Sequence, residues 1–223
     1  MTILKMSVKN RARRAFVAAA LSMLLAPLAF LPAPKAHAQA DPGAMIEGVV
    51  EQLLGELTAR RGELKDNNKK LFDLVDRLVV PVFDIPRISK LVLGKNWKRA
   101  SASQRAVFGE EFKKLMIGSY ATALFDYTGK EKIEFTGSKL TERKGRKFAE
   151  VLSEVTLSEA AQPVSVNYSL LLGTDGKWRI YNLSIADLNM ITHYRATYAA
   201  SIDALGIDGL ISSMKKVNAA NYR

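Results

Sequence analysis

Apolar positions recur every three or four residues from Met45 to Tyr127, then every second residue from Ile133 to Ile185. The first period is that of an amphipathic helix and the second that of a half-buried strand. Met45 to Ala59 sets Met45, Val49, Leu53, Leu54 and Leu57 on one helical face, with Gly62 expected to break it. Asn68 to Val80 repeats the pattern through Leu71, Leu74, Val75, Leu78 and Val79, and Pro81 stops it. Asp84 is positioned to cap a short helix that carries Pro86 in its first turn and runs through Ile88, Leu91 and Val92 to Gly94. Ser101 and Gln104 have capping-box spacing. Behind them Phe108, Phe112, Leu115, Met116, Tyr120, Leu124 and Tyr127 form one stripe on a long helix expected to end near Gly129.

From Lys132 the alternation predicts strands. Ile133 and Phe135 begin the first, and Val151, Val155 and Leu157 mark the second. Val164, Val166, Tyr168, Leu170 and Leu172 alternate with polar residues in the third. Thr174-Asp175-Gly176-Lys177 is a hairpin turn into a fourth, Trp178 to Ile185. Two helices, Asn189 to Leu205 and Asp208 to Val217, close the chain on either side of Gly206. Helices, then a strand meander, then helices describe an α+β fold: N-terminal helices and a long central helix packed on a four- to five-stranded antiparallel sheet.

Charge changes the picture only after its position is taken into account. The 223 residues hold 33 Lys and Arg against 22 Asp and Glu, net +11, a balance that suggests nucleic acid. Six of those bases (Lys5, Lys9, Arg11, Arg13, Arg14 and Lys35) lie in residues 1–38, which hold no acid. An uncharged run from Phe16 to Leu31 follows the first five, then Ala36-His37-Ala38. That order is a secretory signal peptide, with cleavage expected after Ala38 or Ala40; an uncleaved N-terminal anchor is the alternative. Residues 39–223 then form a single domain with 27 basic and 22 acidic residues, net +5. An exported chain at this charge is expected to meet acidic lipid or an acidic protein rather than nucleic acid.

Candidate chemistry is sparse. The chain has no cysteine, which excludes disulfides, thiolate nucleophiles and Cys-ligated metals. No phosphate-binding glycine motif, His-Glu-x-x-His pair or calcium loop occurs. His193 is expected to be a rim histidine on an amphipathic helix, and Asp187 a helix cap. Together they are the only visible acid/base pair, and so the basis of an alternative reading as a cone-fold enzyme or sensor for a small apolar molecule. Arg143, Lys144, Arg146 and Lys147 around Gly145, and Lys215, Lys216 and Arg223, are either solvated charge or docking patches. The stripes themselves fit a packed core or a hollow one; a solid core would suit a non-lipid envelope adaptor.

Three groups of segments resemble a known family. They are Leu78-Val79-Val80-Pro81-Val82-Phe83-Asp84 with Leu93-Gly94-Lys95-Asn96-Trp97; Gln104-Arg105 with Phe108, Phe112, Leu115 and Tyr120-Ala121 with Leu124 and Tyr127; and Asp175-Gly176-Lys177-Trp178 with Tyr181, Tyr194-Arg195 and Gly206-Ile207-Asp208-Gly209-Leu210. In this order they resemble the MlaC-type periplasmic phospholipid-binding proteins, also called toluene-tolerance or organic-solvent-resistance auxiliary proteins. The chain departs from that pattern at Ala186-Asp187, where the family carries Glu-Gly.

The resemblance implies a nuclear-transport-factor-like cone with added helices. It also implies a non-catalytic carrier of phospholipid, with no cofactor beyond that cargo. The implied partners are the lipid-binding ring protein of an inner-membrane ABC transporter and an outer-membrane lipoprotein–porin complex. Two acyl chains have on the order of 30 methylenes at ~0.8 kcal/mol each, so leaving them wet costs roughly 20 kcal/mol or more. The expected tail-binding residues lie between sheet and helices: Val79, Val82, Phe83, Leu91, Val92, Trp97, Phe112, Met116, Tyr120, Leu124, Val151, Val155, Tyr168, Leu170, Ile185 and Ile191. Tyr120 is foremost, because the family's matching Tyr-Ala motif lines its cavity. Each of these residues also fits a packed core.

Overall fold

Side-chain caps set most of the helix starts. In the computed structural model, which describes residues 41–65, 67–156 and 162–222, Asp41 accepts from the Ala44 N–H and opens α1, Pro42–Ala59. A short α2, Arg61–Leu64, follows; Asn67 then caps α3, Asn68–Leu78. Asp84 accepts from the Arg87 N–H and opens α4, Ile85–Leu93, with proline in its first turn as expected. The Ser101–Gln104 capping box is present at the start of α5, Ala102–Tyr120. The signal peptide expected at residues 1–38, together with Leu157 and Arg223, lies outside the described residues.

Four expectations need correction. The first helix breaks at Arg60, not Gly62: Arg60 leaves helical geometry, and its guanidinium ties Glu56 (3.0 Å) to Glu63 (2.9 Å) across the break. The α-form of the long helix ends at Tyr120, and a 3-10 segment, Ala121–Asp126, carries the chain onward. The expected stripe is also divided: Phe108 and Phe112 enter one cluster and Leu124 and Tyr127 another. Asp187 is not a cap. Ala186 and Asp187 both have positive φ (47° and 63°) and form the turn that folds Leu188–Asn189 back on Ser184 and Ile185. Asn189 caps the final helix by accepting from the Thr192 N–H at 3.0 Å. These two positions thus form a left-handed turn, a conformation that Asp tolerates better than most residues.

The final helix α6, Met190–Asn221, is two helices across a kink at Gly206, whose φ of 70° has no side chain to oppose it. Between α5 and α6 lies a five-stranded meander: β1 Lys132–Arg143, β2 Arg146–Thr156, β3 Val164–Leu172, β4 Trp178–Ile185 and β5 Leu188–Asn189. Each strand pairs antiparallel with its neighbour in sequence. Lys144 and Gly145, both at positive φ, turn the β1–β2 hairpin and leave its basic residues exposed at the tip. In the β3–β4 turn Asp175 accepts from Arg179 at 3.0 Å, and this bond holds the Asp175 carboxyl down at about 2.

Buried side chains gather in three clusters. One joins α4, α5 and α6 around Val92, Phe108, Phe112, Tyr198 and Met214. A second joins α1, α3 and the end of α5 around Leu57, Leu71, Phe72 and Ile117. The third packs Ile46 of α1 on Ala149, Val151, Leu170, Trp178 and Ile180 of the sheet. At the free side of β4, Phe83 pairs with Ile180 and the Asp84 N–H donates to the Ile180 carbonyl at 2.8 Å. Phe83 packs on both the first and third clusters. A buried polar contact locks α5 to α6: the Asn218 amide donates to the Glu111 carbonyl (2.9 Å) and carboxylate (2.7 Å).

Two predictions come from these contacts. Asn218→Ala leaves the buried Glu111 groups without that donor and lowers unfolding free energy by about 1–3 kcal/mol, measured by urea denaturation. Because the folded Asp175 value lies below its ordinary 3.8, the turn's stabilisation is complete above that value and is lost as pH falls through about 2. Arg179→Gln should move the Asp175 titration, followed by carboxyl NMR shifts, back up toward 3.8.

Candidate functional site

Register places one side of the sheet in apolar rows, since cross-strand partners share a face. Leu140, Ala149, Leu170 and Ile180 form one row, and Val151, Tyr168 and Leu183 the next. Then come Phe135, Ser153, Val166 and Ile185, followed by Ile133, Val155 and Val164. Ser153 interrupts this surface without wetting it, because its hydroxyl donates to the Val166 carbonyl at 2.9 Å.

Coverage of this face is uneven. Ala149, Val151, Leu170, Trp178 and Ile180 are buried under α1 and the Val82–Phe83 segment. Ile133, Phe135, Val155, Val164, Val166, Tyr168, Leu183 and Ile185 are only half-buried. Along β3 the change is graded: Leu170 is 0% exposed, whereas every residue from Val164 to Ser169 is half-buried. Burial, outweighing the neighbouring Ser153 hydroxyl, pushes the Tyr168 hydroxyl up, so it stays neutral.

Fifteen of the sixteen expected residues fall into three settings, and Tyr120 stands apart. Val151, Val155, Tyr168, Leu170 and Ile185 share the sheet face just described, and Val82 and Phe83 pack against its covered end. Leu91, Val92, Trp97, Phe112, Met116 and Ile191 belong to the α4–α5–α6 cluster, where Val92, Phe112 and Ile191 are buried. Val79 and Leu124 pack in the second cluster, and Leu124 also lines a small cavity of about 80 Å³ with Leu57, Leu64 and Tyr127.

Tyr120 is 46% exposed, and its hydroxyl lies 3.2 Å from that of Tyr194. Tyr194 in turn packs edge-on against Phe112 at 5.3 Å and beside Tyr198 at 5.6 Å. Burial first, and the Tyr120 bond second, push the Tyr194 hydroxyl well up; burial does the same to Tyr198. The Tyr194 and Tyr198 hydroxyls are therefore neutral polar groups among aromatic rings.

Sequence reasoning left out Ile133, Phe135, Val164, Val166 and Leu183 of the sheet face, and Tyr194. The alternation of β3 already carried the two valines, and the Tyr194–Tyr198 spacing of one helical turn carried the tyrosine. His193 is exposed, with its ring 5.2 Å from that of Tyr194, and Asp187 is exposed in its turn; no hydrogen bond joins them. Among the described residues no group of acidic or histidine side chains is arranged to hold a metal ion.

The sequence matches the family described as MlaC protein over residues 47–216. It is 24% identical over 189 residues to the intermembrane phospholipid transport system binding protein MlaC of Haemophilus influenzae, covering 84% of this chain and 87% of that one. It is 29% identical over 186 residues to the toluene tolerance protein ttg2D of Pseudomonas putida, covering 83% of each. Its fold is that of a phospholipid-binding protein from Ralstonia solanacearum solved in complex with a phospholipid, with a TM-score of 0.72 and 24% identity over 82% of this chain and all of the other. The family match begins in α1 and ends within α6, taking in the sheet and every helix between them, and the chain belongs to the MlaC family.

Proposed function

We propose that this protein carries glycerophospholipids through the periplasm, holding their acyl tails between the sheet and the helices. The observation that supports this best is the half-covered apolar face of the sheet. A protein that only needed a core gains by covering such a face, at about 25 cal/mol per Å² removed from water. One that receives tails must leave apolar surface for them. The names and the bound phospholipid of the related proteins point to the same cargo class.

In this reading the tails lie along Val155, Val164, Val166, Tyr168 and Ile185. Val79, Val82, Phe83, Leu91, Trp97, Met116, Leu124 and Tyr120 face them from the helical side, and the buried residues Val92, Phe112, Val151, Leu170 and Ile191 support those walls. No catalysis is part of the proposal. Delivery is to the lipid-binding ring of an inner-membrane ABC transporter and collection is from an outer-membrane lipoprotein–porin complex, in either direction. The exposed Arg143–Lys147 hairpin tip and Lys215–Lys216 are the candidate docking charges.

Native mass spectrometry of the mature protein should show bound phospholipid. Protein that is lipid-free and takes up none from vesicles would overturn the proposal. Tyr120→Glu should fold, because the side chain is half outside the packing, yet hold at least tenfold less lipid, since an unpaired carboxylate cannot lie among tails. Lipid content equal to wild type would place Tyr120 outside the binding surface.

A further inference from the structure

The stretch from Ile85 to Gly109 carries six basic residues and no Asp or Glu, more net charge than the whole of residues 39–223. Part of it folds around a cleft of about 520 Å³ walled by Lys90, Leu91, Trp97, Lys98, Arg105 and, from α6, Arg195. Both arginines are held by the backbone. Arg105 donates from Nε to the Trp97 carbonyl at 3.0 Å, and its guanidinium lies 4.8 Å from the Trp97 ring centroid. Arg195 donates from Nε to the Leu91 carbonyl at 2.7 Å.

This anchoring occupies the inner nitrogen of each guanidinium and leaves the terminal pair of N–H groups for another acceptor. Arg60, Arg87 and Arg179 each meet a carboxylate, but among the described residues none pairs with Lys90, Lys98, Arg105 or Arg195. Gly94 leaves room for the Arg195 side chain. Its φ of +52° suits glycine, and a Cβ there would come within 3.2 Å of the Arg195 Cδ.

Two guanidinium forks already fixed in place lose little freedom on binding, and their geometry matches an oxyanion with neighbouring acceptor oxygens. Two further cations raise the local potential, while Leu91 and Trp97 add an apolar wall. An inorganic anion uses the first set of features and not the second; an amphiphile uses both. We propose that this cleft binds the phosphate of an anionic glycerophospholipid, with Arg105 and Arg195 donating to its oxygens and the glyceryl end lying against Leu91 and Trp97. The lipid as source of that phosphate rests on the function proposed above; the oxyanion chemistry rests on the cleft alone.

Calorimetric titration with three soluble probes separates the possibilities: dihexanoyl phosphatidylglycerol below its micelle concentration, uncharged dihexanoylglycerol, and glycerol phosphate. The Arg105→Gln/Arg195→Gln variant should bind the phosphatidylglycerol at least about tenfold more weakly than wild type. It should bind dihexanoylglycerol like wild type. Added salt should weaken phosphatidylglycerol binding to wild type more than to the variant. If that variant does not fold, Lys90→Gln/Lys98→Gln, which changes two exposed side chains, should show a severalfold loss of the same selectivity.

Equal phosphatidylglycerol affinity in wild type and variants overturns the proposal. So does glycerol phosphate binding as tightly as the lipid, which assigns the cleft to a free phosphate ester. Wild type that binds neither lipid probe overturns the carrier reading itself, a result distinct from the other two.

Discussion

The attachment of the Val80–Asp84 segment to the free side of β4 decides where the helical layer meets the sheet. Phe83 lies beside Ile180, the next N–H donates to the Ile180 carbonyl, and Asp84 immediately caps α4. One short stretch therefore closes a strand edge, which would otherwise present unpaired backbone groups, and aims the next helix. Because this pin sits at the Leu170–Ile180 row, cover is thick there over β2, β3 and β4, while Leu140 on β1 stays exposed. Cover thins toward Val155, Val164 and Ile185. The uneven cover, and with it the proposed tail site, follows from where the pin is placed.

Among the described residues, the buried side-chain polar atoms without a hydrogen-bond partner are the Tyr198 hydroxyl and the Asn218 amide oxygen. Ser153 spends its hydroxyl on a neighbouring strand, and Glu111 and Asn218 face each other across two helices. The tyrosine hydroxyls stay protonated through burial. The surface left between sheet and helices is accordingly apolar with a few neutral hydroxyls, whereas unpaired positive charge is concentrated on the α4–α5 side.

The sequence made much of this legible. The capping box at Ser101, the cap at Asp84, the period-two strands and the break at Gly206 are local signals, each carried by a few adjacent residues, and the structure contains all of them. That Val151, Val155, Tyr168, Leu170 and Ile185 share a face also followed from alternation. What alternation cannot express is how far each row is covered, since cover comes from Ile46 and Phe83, residues distant in the chain. The same limit hid the division of the long stripe. A regular α-helix already carries Leu124 about 120° around from Phe112, and a 3-10 segment at about 120° per residue takes it on toward the opposite side. The basic cleft was hidden for a related reason, because Arg195 joins it from far along the chain.

The meander has a consequence for the order in which the molecule assembles. Every strand pairs with its sequence neighbour, so the sheet requires only short loop closures, and the helices form on local signals. Contacts that span about a hundred residues include Phe83 with Ile180, Glu111 with Asn218, Arg195 with Leu91 and Gln104 with Asp208. Chain entropy favours the short strand closures over these. Of these, the Phe83–Ile180 contact is the one that brings the helical layer onto the sheet, so covering the apolar face needs a far longer loop closure than building it.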